Sequence, residues 1–289
     1  MTTTLERDYA VAESITREQA RNFYYGIRLL TPRKRSALCA LYALARRIDD
    51  IGDGDLPQGE KVAQLAAVRQ SLADLRAGGP AGDPVLSAVA DVVSVFPVPL
   101  SAFEELVEGV EMDVTGRRYE TFDDLVTYCR CVAGAVGRLC LGVFGSRPHP
   151  EAERYADELG IALQQTNILR DIREDLLTGR VYLPAEDLDR FGVTLSIDAQ
   201  GRLTDDHGAL TALIRFSAER ARGWYDEGLR LVPLLDHRSA ACCTAMSGIY
   251  RRLLDQIEED PSRVFGGRLS LSGFDKAKVA ARALTGRAV

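Results

Sequence analysis

Histidine is scarce in this chain. Only three occur in 289 residues, and His149, His207 and His237 stand far apart beside Pro, Asp or Gly. A zinc site or a His-centred triad therefore has little raw material. Long apolar runs are missing too: the longest uninterrupted one, 37–45, falls well short of the roughly 20 residues a membrane span needs, so no bilayer crossing is expected. Basic residues are outnumbered, 36 against 42 acidic, for a net charge of −6. A protein with that balance has no global field to hold a polyanion, which argues against nucleic acid and requires a local device for any anionic ligand. Linkers rich in Gly, Ser or Pro, blocks of more than three like charges and internal repeats are all absent, which points to a single domain over 1–289.

Cysteine is not scarce, but its placement is informative. Cys39, Cys129, Cys131, Cys140, Cys242 and Cys243 all lie in apolar stretches of helical character with no secretory signal ahead of them. The reading is of reduced core thiols in a cytoplasmic protein.

What is abundant is helical periodicity. Pro32 opens a stretch in which Leu38, Leu41, Tyr42 and Ala45 recur at three- and four-residue spacing. Similar blocks cover 60–76, 84–95, 100–114, 122–144, 151–177, 210–235 and 239–259, and Gly or Pro punctuates the joints, as in Gly52-Asp53-Gly54, Gly78-Gly79-Pro80 and Pro97-Val98-Pro99. No segment sustains period-two alternation, and 194–207 reads as a polar loop. These features predict an all-α helical bundle, a fold that places ligands in a cavity between helices.

Two constellations carry chemistry. In Arg46-Arg47-Ile48-Asp49-Asp50-Ile51-Gly52-Asp53, the four-residue spacing puts Asp49 and Asp53 on one helix face near a helix end, where like charges repel each other and the helix dipole opposes both. A hard cation such as Mg²⁺ would compensate them; a solvated acidic helix end running into a glycine turn is the competing reading, and this motif alone leaves both open. In the segment Gln164 to Asp175, residues Gln164, Asn167, Asp171 and Asp175 form a polar stripe on a helix otherwise rich in Leu and Ile, flanked by Arg170, Arg173 and Arg180. An ion-paired surface face would explain one such cluster, and two make it the weaker account. Two carboxylate sets flanked by arginines suit a diphosphate held through Mg²⁺ beside an apolar, water-excluding pocket. No nucleophile elbow or P-loop pattern competes.

At this point the residues resemble the squalene and phytoene synthases, which join two prenyl diphosphates head to head. The likeness runs through Asn22-Phe23-Tyr24-Tyr25-Gly26, Ala40-Leu41-Tyr42-Ala43, the DDxxD at 49–53, the stretch 119–125, Tyr128 to Gly137, the 164–175 block, Gly179-Arg180-Val181-Tyr182-Leu183-Pro184, Met246 to Leu254 around Tyr250, and Val264-Phe265 to Arg268. It implies an isoprenoid-synthase bundle with a central cavity. It implies Mg²⁺, with Mn²⁺ as a substitute, on Asp49, Asp50, Asp53, Asn167, Asp171 and Asp175. Arg46, Arg170, Arg180, Gln164, Tyr250 and Arg268 (or Arg263 in place of the last) would contact the diphosphates. Tyr128 would line the reaction centre, steadying a cation or moving a proton, jobs that a ring face and a hydroxyl suit; with Asp49, Asp53, Asp171 and Asp175 it completes the expected catalytic set.

Departures from the family pattern shape the finer expectation. Ala20 and Asn22 stand where many relatives have serines, and neither a hydrophobic C-terminal anchor nor the basic segment tied to the nicotinamide-dependent step is evident after Asp260. The resemblance then implies a bacterial type that couples two farnesyl diphosphates and stops at presqualene diphosphate, a squalene and hopanoid precursor, without NADPH and with downstream pathway enzymes as partners. The alternatives are phytoene synthesis from geranylgeranyl diphosphate, a squalene synthase that completes the reductive step, and a non-catalytic assembly or scaffold member, which the intact aspartates disfavour. A greasy product also makes peripheral membrane contact an expectation, with the basic tail 276–287 as a weak candidate for it.

Overall fold

The computed structural model describes residues 4–20, 22–79 and 81–285, so Pro80 of the predicted joint and Arg287 of the basic tail lie outside the described residues. The first half of the chain forms α1 (Thr4–Gln19), α2 (Phe23–Ile27), α3 (Pro32–Asp53), α4 (Gln58–Arg76), α5 (Pro84–Val95) and α6 (Ser101–Val114). There follow α7 (Phe122–Cys129), α8 (Ala135–Phe144), α9 (Ala152–Leu177), α10 (Ala185–Phe191), α11 (Ala209–Gly228), α12 (His237–Glu259) and α13 (Gly273–Leu284). The described residues contain no strand, only an isolated bridge between Ile197 and Leu203 inside the predicted polar loop. The fold is all-α, as the periodicity predicts.

Local chemistry sets the helix ends. Pro32 starts α3 at its first turn, where a missing N–H costs nothing. A reciprocal capping box of Thr121 and Asp124 opens α7, and Asp83 and Asp236 cap α5 and α12 by accepting backbone N–H groups. Gly179, at φ +81°, adopts the left-handed conformation just past α9 and turns the chain back on itself.

Three expectations change. The block 210–235 is not one helix: α11 stops at Gly228 and a 3₁₀ segment, Leu229–Leu234, carries Pro233. The reason is Pro233, which has no N–H to bond back along an α-helix and whose ring crowds the carbonyl four residues earlier; Gly228 at the junction lets α11 lie close against α9, where a Cβ would sit 2.5 Å from the Leu159 backbone nitrogen. The block 122–144 is one continuous helical rod interrupted by a π-helical turn, Arg130–Gly134. Finally, a helix outside the periodic blocks, α1, comes before the Asn22 to Gly26 segment and packs on α3 and α5.

One buried apolar core runs from Ala12 to Val279. All six cysteines are free, five of them buried, and burial pushes the Cys39 thiol up to about 11. The rod Phe122–Phe144 is long and apolar enough to span a bilayer by composition, but half of its most apolar stretch is buried inside the bundle, as expected of a core helix.

Candidate functional site

The central cavity, about 230 Å³, lies among α2, α3, α8, α9 and α12. Its wall is largely apolar, with Phe23, Leu41, Val136, Leu163 and Met246 among the lining residues, and its polar groups are few: the Tyr42 and Ser247 hydroxyls, Arg46, Asp49, Gln164 and Asn167. Close helix crossings shape it. A Cβ at Gly137 would lie 2.2 Å from the Ala156 carbonyl oxygen, and one at Gly160 would lie 2.3 Å from that of Ala133. The two glycines thus let the rod and α9 approach almost backbone to backbone.

At the polar end, Asp49 of α3 and Gln164 and Asn167 of α9 line the same cavity. Burial, reinforced by Asp53 and Asp50, pushes Asp49 up to about 7 against the pull of Arg46. Burial followed by the Asp171 charge does the same for Asp175. Arginines hold the remaining carboxylates. Arg180 Nη1 donates to Asp53 Oδ1 at 2.9 Å, and its Nη2 to the Gly52 carbonyl at 3.2 Å, so the turn at Gly179 ties the end of α9 to the end of α3. Buried Arg170 grips Asp171 with two bonds, Nε to Oδ1 at 2.8 Å and Nη2 to Oδ2 at 2.5 Å. Arg268 reaches the same carboxylate, with Nε 3.0 Å from Oδ1. Of the two arginines weighed from sequence, Arg268 rather than Arg263 meets Asp171.

The donor set suits a hard cation. Asn167 Oδ1 is buried without a hydrogen-bond partner, while its Nδ2 donates to Gln164 Oε1 at 3.3 Å. An orphaned amide oxygen in the same cavity lining as Asp49, a carboxylate that burial strains toward protonation, is what an oxygen-coordinated ion would relieve. Among the described residues no three His, Cys, Asp or Glu side chains cluster tightly enough to chelate a bare ion.

Not every expected residue faces the cavity. Asp50 is exposed and paired with Arg46. Tyr250 is buried and stacks on Phe23, ring centroids 5.5 Å apart. Tyr128 is only 3% exposed and sits beside the cavity lining rather than in it. Its ring stacks on Tyr182 at 5.1 Å and leans on Tyr119 at 5.3 Å.

The centre of this tyrosine cluster is a residue that sequence reasoning missed. Asp113 accepts hydrogen bonds from the Tyr128 and Tyr182 hydroxyls, each at 2.8 Å. Burial raises its pKa, partly offset by the two hydroxyl donors and by Arg180. A signal existed in the spacing: position 113 continues the apolar stripe of Phe103, Leu106 and Val110 on α6, and a carboxylate on a core-facing stripe must find buried partners.

The sequence and the fold both match known proteins. A family model described as squalene/phytoene synthase matches residues 16–275. Phytoene synthase of Mycobacterium tuberculosis is 55% identical over 282 residues, 98% of this chain and 92% of that one. The chloroplastic phytoene synthase 2 of Zea mays is 38% identical over 258 residues, 87% of this chain and 63% of the maize protein. Among solved structures, a dehydrosqualene synthase in complex with ligand superposes with a TM-score of 0.87 at 30% identity, covering 97% of this chain and 96% of that one. A squalene synthase from Alicyclobacillus acidocaldarius superposes at 0.79 and 32% identity, covering 88% and 94%. With its fold, its paired aspartate helices and these likenesses in agreement, the chain belongs to the squalene/phytoene synthase family.

Proposed function

We propose that the protein is a Mg²⁺-dependent prenyltransferase of the phytoene synthase type, joining two geranylgeranyl diphosphates head to head. The observation that carries the choice of substrate is the 55% identity to a phytoene synthase over nearly the whole chain, which favours this reading over the presqualene diphosphate product expected from sequence. The chain is also read as one domain, because a single core joins its two ends.

The residues support the chemistry in this way. Asp49, Asp53, Asn167, Asp171 and Asp175 would hold Mg²⁺, with Mn²⁺ as substitute, and the ion when bound supplies positive charge against a departing diphosphate. Arg46, Arg170, Arg180 and Arg268 add fixed charge around the same groups, and Gln164 orients Asn167. When the C1–O bond of one substrate breaks, pyrophosphate leaves and an allylic cation remains. The double bond of the second substrate attacks that cation, a new carbon–carbon bond forms, and a proton is lost as the cyclopropyl diphosphate closes; loss of the second pyrophosphate, rearrangement of the carbon skeleton and loss of a second proton then give the C40 hydrocarbon. The cavity wall excludes water that would otherwise quench the cation. Tyr128, locked on Asp113, presents a ring fixed in place beside this chamber.

Purified protein given farnesyl and geranylgeranyl diphosphate in competition with Mg²⁺, without nicotinamide, should yield the C40 hydrocarbon by mass spectrometry. Presqualene diphosphate as the main product, with geranylgeranyl diphosphate untouched, would transfer the assignment to the farnesyl-specific reading. No coupled product with either metal would end both.

A further inference from the structure

Three helices each contribute one turn to a recess that lies apart from the central cavity. Glu13 and Arg17 of α1, Tyr24 of α2 with Arg28 at its C-cap, and Arg35 and Cys39 of α3 together line a space of about 170 Å³. Within each pair the four-residue spacing places both side chains on one helix face.

The recess is rich in cations that nothing neutralises. None of the Arg17, Arg28 and Arg35 guanidinium groups makes an ion pair or a side-chain hydrogen bond with a described residue. Elsewhere arginines are held, as Arg47 is by Asp83 and Arg222 by Glu258. Glu13 is the one acid of the lining, and its Oε1 accepts from the Ser36 hydroxyl at 2.6 Å. Cys39 adds no charge, because burial pushes its thiol up to about 11. Three cations against one carboxylate leave a local excess of two positive charges in a chain whose net charge is −6. Like charges gathered in one recess repel, and an anion removes that cost.

Size and lining narrow the class of anion. The space is smaller than the roughly 300 Å³ at which sites for drug-sized ligands begin, yet several times the roughly 30 Å³ share of one water. Beyond the Tyr24 ring the lining offers little apolar surface, so the hydrocarbon tail of a prenyl ester or a lipid has no wall to lie on. Guanidinium forks match phosphoryl oxygens two at a time, and the Tyr24 hydroxyl is a further donor.

The recess and the cavity share no lining residue, but they share a partition. Phe23, Ile27 and Leu38 line the cavity, and the residues that follow them in the chain, Tyr24, Arg28 and Cys39, line the recess. Thus α2 and α3 stand between the two spaces.

We propose that this recess is a second anion site, built for a small phosphate anion with inorganic diphosphate as its ligand, and that the bound anion ties α1 to the partition formed by α2 and α3. The choice of diphosphate rests on the proposed function, since head-to-head coupling releases that ion beside the partition.

Calorimetric titration of the full chain with sodium diphosphate, in EDTA and at fixed ionic strength, tests the site. Wild type is expected to bind diphosphate without metal. The double variant Arg17→Gln/Arg35→Gln removes two charge-assisted contacts, so this binding should weaken by well over tenfold while circular dichroism stays that of the wild type. Arg46→Gln/Arg180→Gln, at the carboxylate end, should leave it in place, and inorganic phosphate should bind more than tenfold more weakly than diphosphate. Wild type that takes up no diphosphate in EDTA overturns the proposal, and so does a recess variant that binds as the wild type does. Binding lost in the Arg46/Arg180 variant instead assigns the ion to the carboxylate end, and the proposal fails. Equal affinity for diphosphate, phosphate and sulfate would reduce the recess to an unselective patch of charge and would overturn it as well. Because binding is read without metal or turnover, a protein inactive on prenyl diphosphates would leave this result interpretable, and an empty recess would leave the product assay untouched.

Discussion

The Tyr128 hydroxyl donates to Asp113 Oδ2 at 2.8 Å, joining a residue of α7 to one of α6 through a part-buried hydrogen bond while Tyr182 occupies the other carboxylate oxygen. The aromatic ring beside the cavity is thus positioned by a carboxylate rather than by packing alone. Removing the Tyr128 hydroxyl leaves Asp113 with Tyr182 as its hydroxyl donor, whereas removing the Asp113 carboxylate strands both hydroxyls, a loss of about 1–3 kcal/mol for each unsatisfied group. Tyr128→Phe and Asp113→Ala should therefore couple in a double-mutant cycle followed by urea denaturation, with an interaction energy of about 0.5–3 kcal/mol. Additive effects would show that the bond does not organise this cluster. Both variants should also turn over more slowly than wild type.

The aspartates predict an inverted pH dependence. Asp49 and Asp175 lie at about 7 in the fold against an ordinary 3.8. Between those values the folded chain holds protons that the unfolded chain releases, so their contribution to stability is greatest at acid pH and is lost as pH rises through about 7. Carboxylates held low, such as Asp83 by its bond to Arg47, act only below this window. The metal-free protein should melt at a higher temperature near pH 5.5 than near pH 8, and Asp49→Asn/Asp175→Asn should flatten the difference. Mg²⁺ with inorganic diphosphate should restore stability at pH 8. A melting temperature that climbs steadily from pH 5.5 to 8 in the metal-free wild type would contradict the strained pair.

Close contact of the rod with α9 makes Gly160 intolerant of change. With a Cβ 2.3 Å from the Ala133 carbonyl oxygen, Gly160→Ala must push two backbones apart, and a loss of about 1–3 kcal/mol or more is expected, with a distorted cavity and reduced turnover. Gly223 is the internal control. It lies on the exposed side of α11 with nothing near its absent Cβ, so Gly223→Ala should gain about 0.5–1 kcal/mol. Denaturant melts of the two variants should move in opposite directions.

Arg180 joins the two carboxylate helices through a partly exposed pair, so its value lies in placement more than in stability. Arg180→Lys keeps the charge but cannot span Asp53 and the Gly52 carbonyl with one planar group. Turnover should fall about tenfold or more while the melting free energy changes by less than about 1 kcal/mol. Unchanged kinetics would assign Arg180 to the surface alone.

The all-α class, the course of α3, α4, α5, α6 and α9, and the stripe Gln164, Asn167, Asp171 and Asp175 were legible in the chain itself, because helical period, caps and four-residue spacing are local properties. The pairing of Arg268 rather than Arg263 with Asp171, the grip of Arg180 on Asp53 and the hidden hub at Asp113 were not, since each joins groups distant in sequence. The close passage of Gly228 against the Leu159 backbone belongs with them, for it is set by another helix. Periodicity determines which face of a helix is apolar. Only packing decides which carboxylate finds two hydroxyls and which glycine permits a crossing, because those outcomes depend on what the neighbouring helices bring to the same point in space.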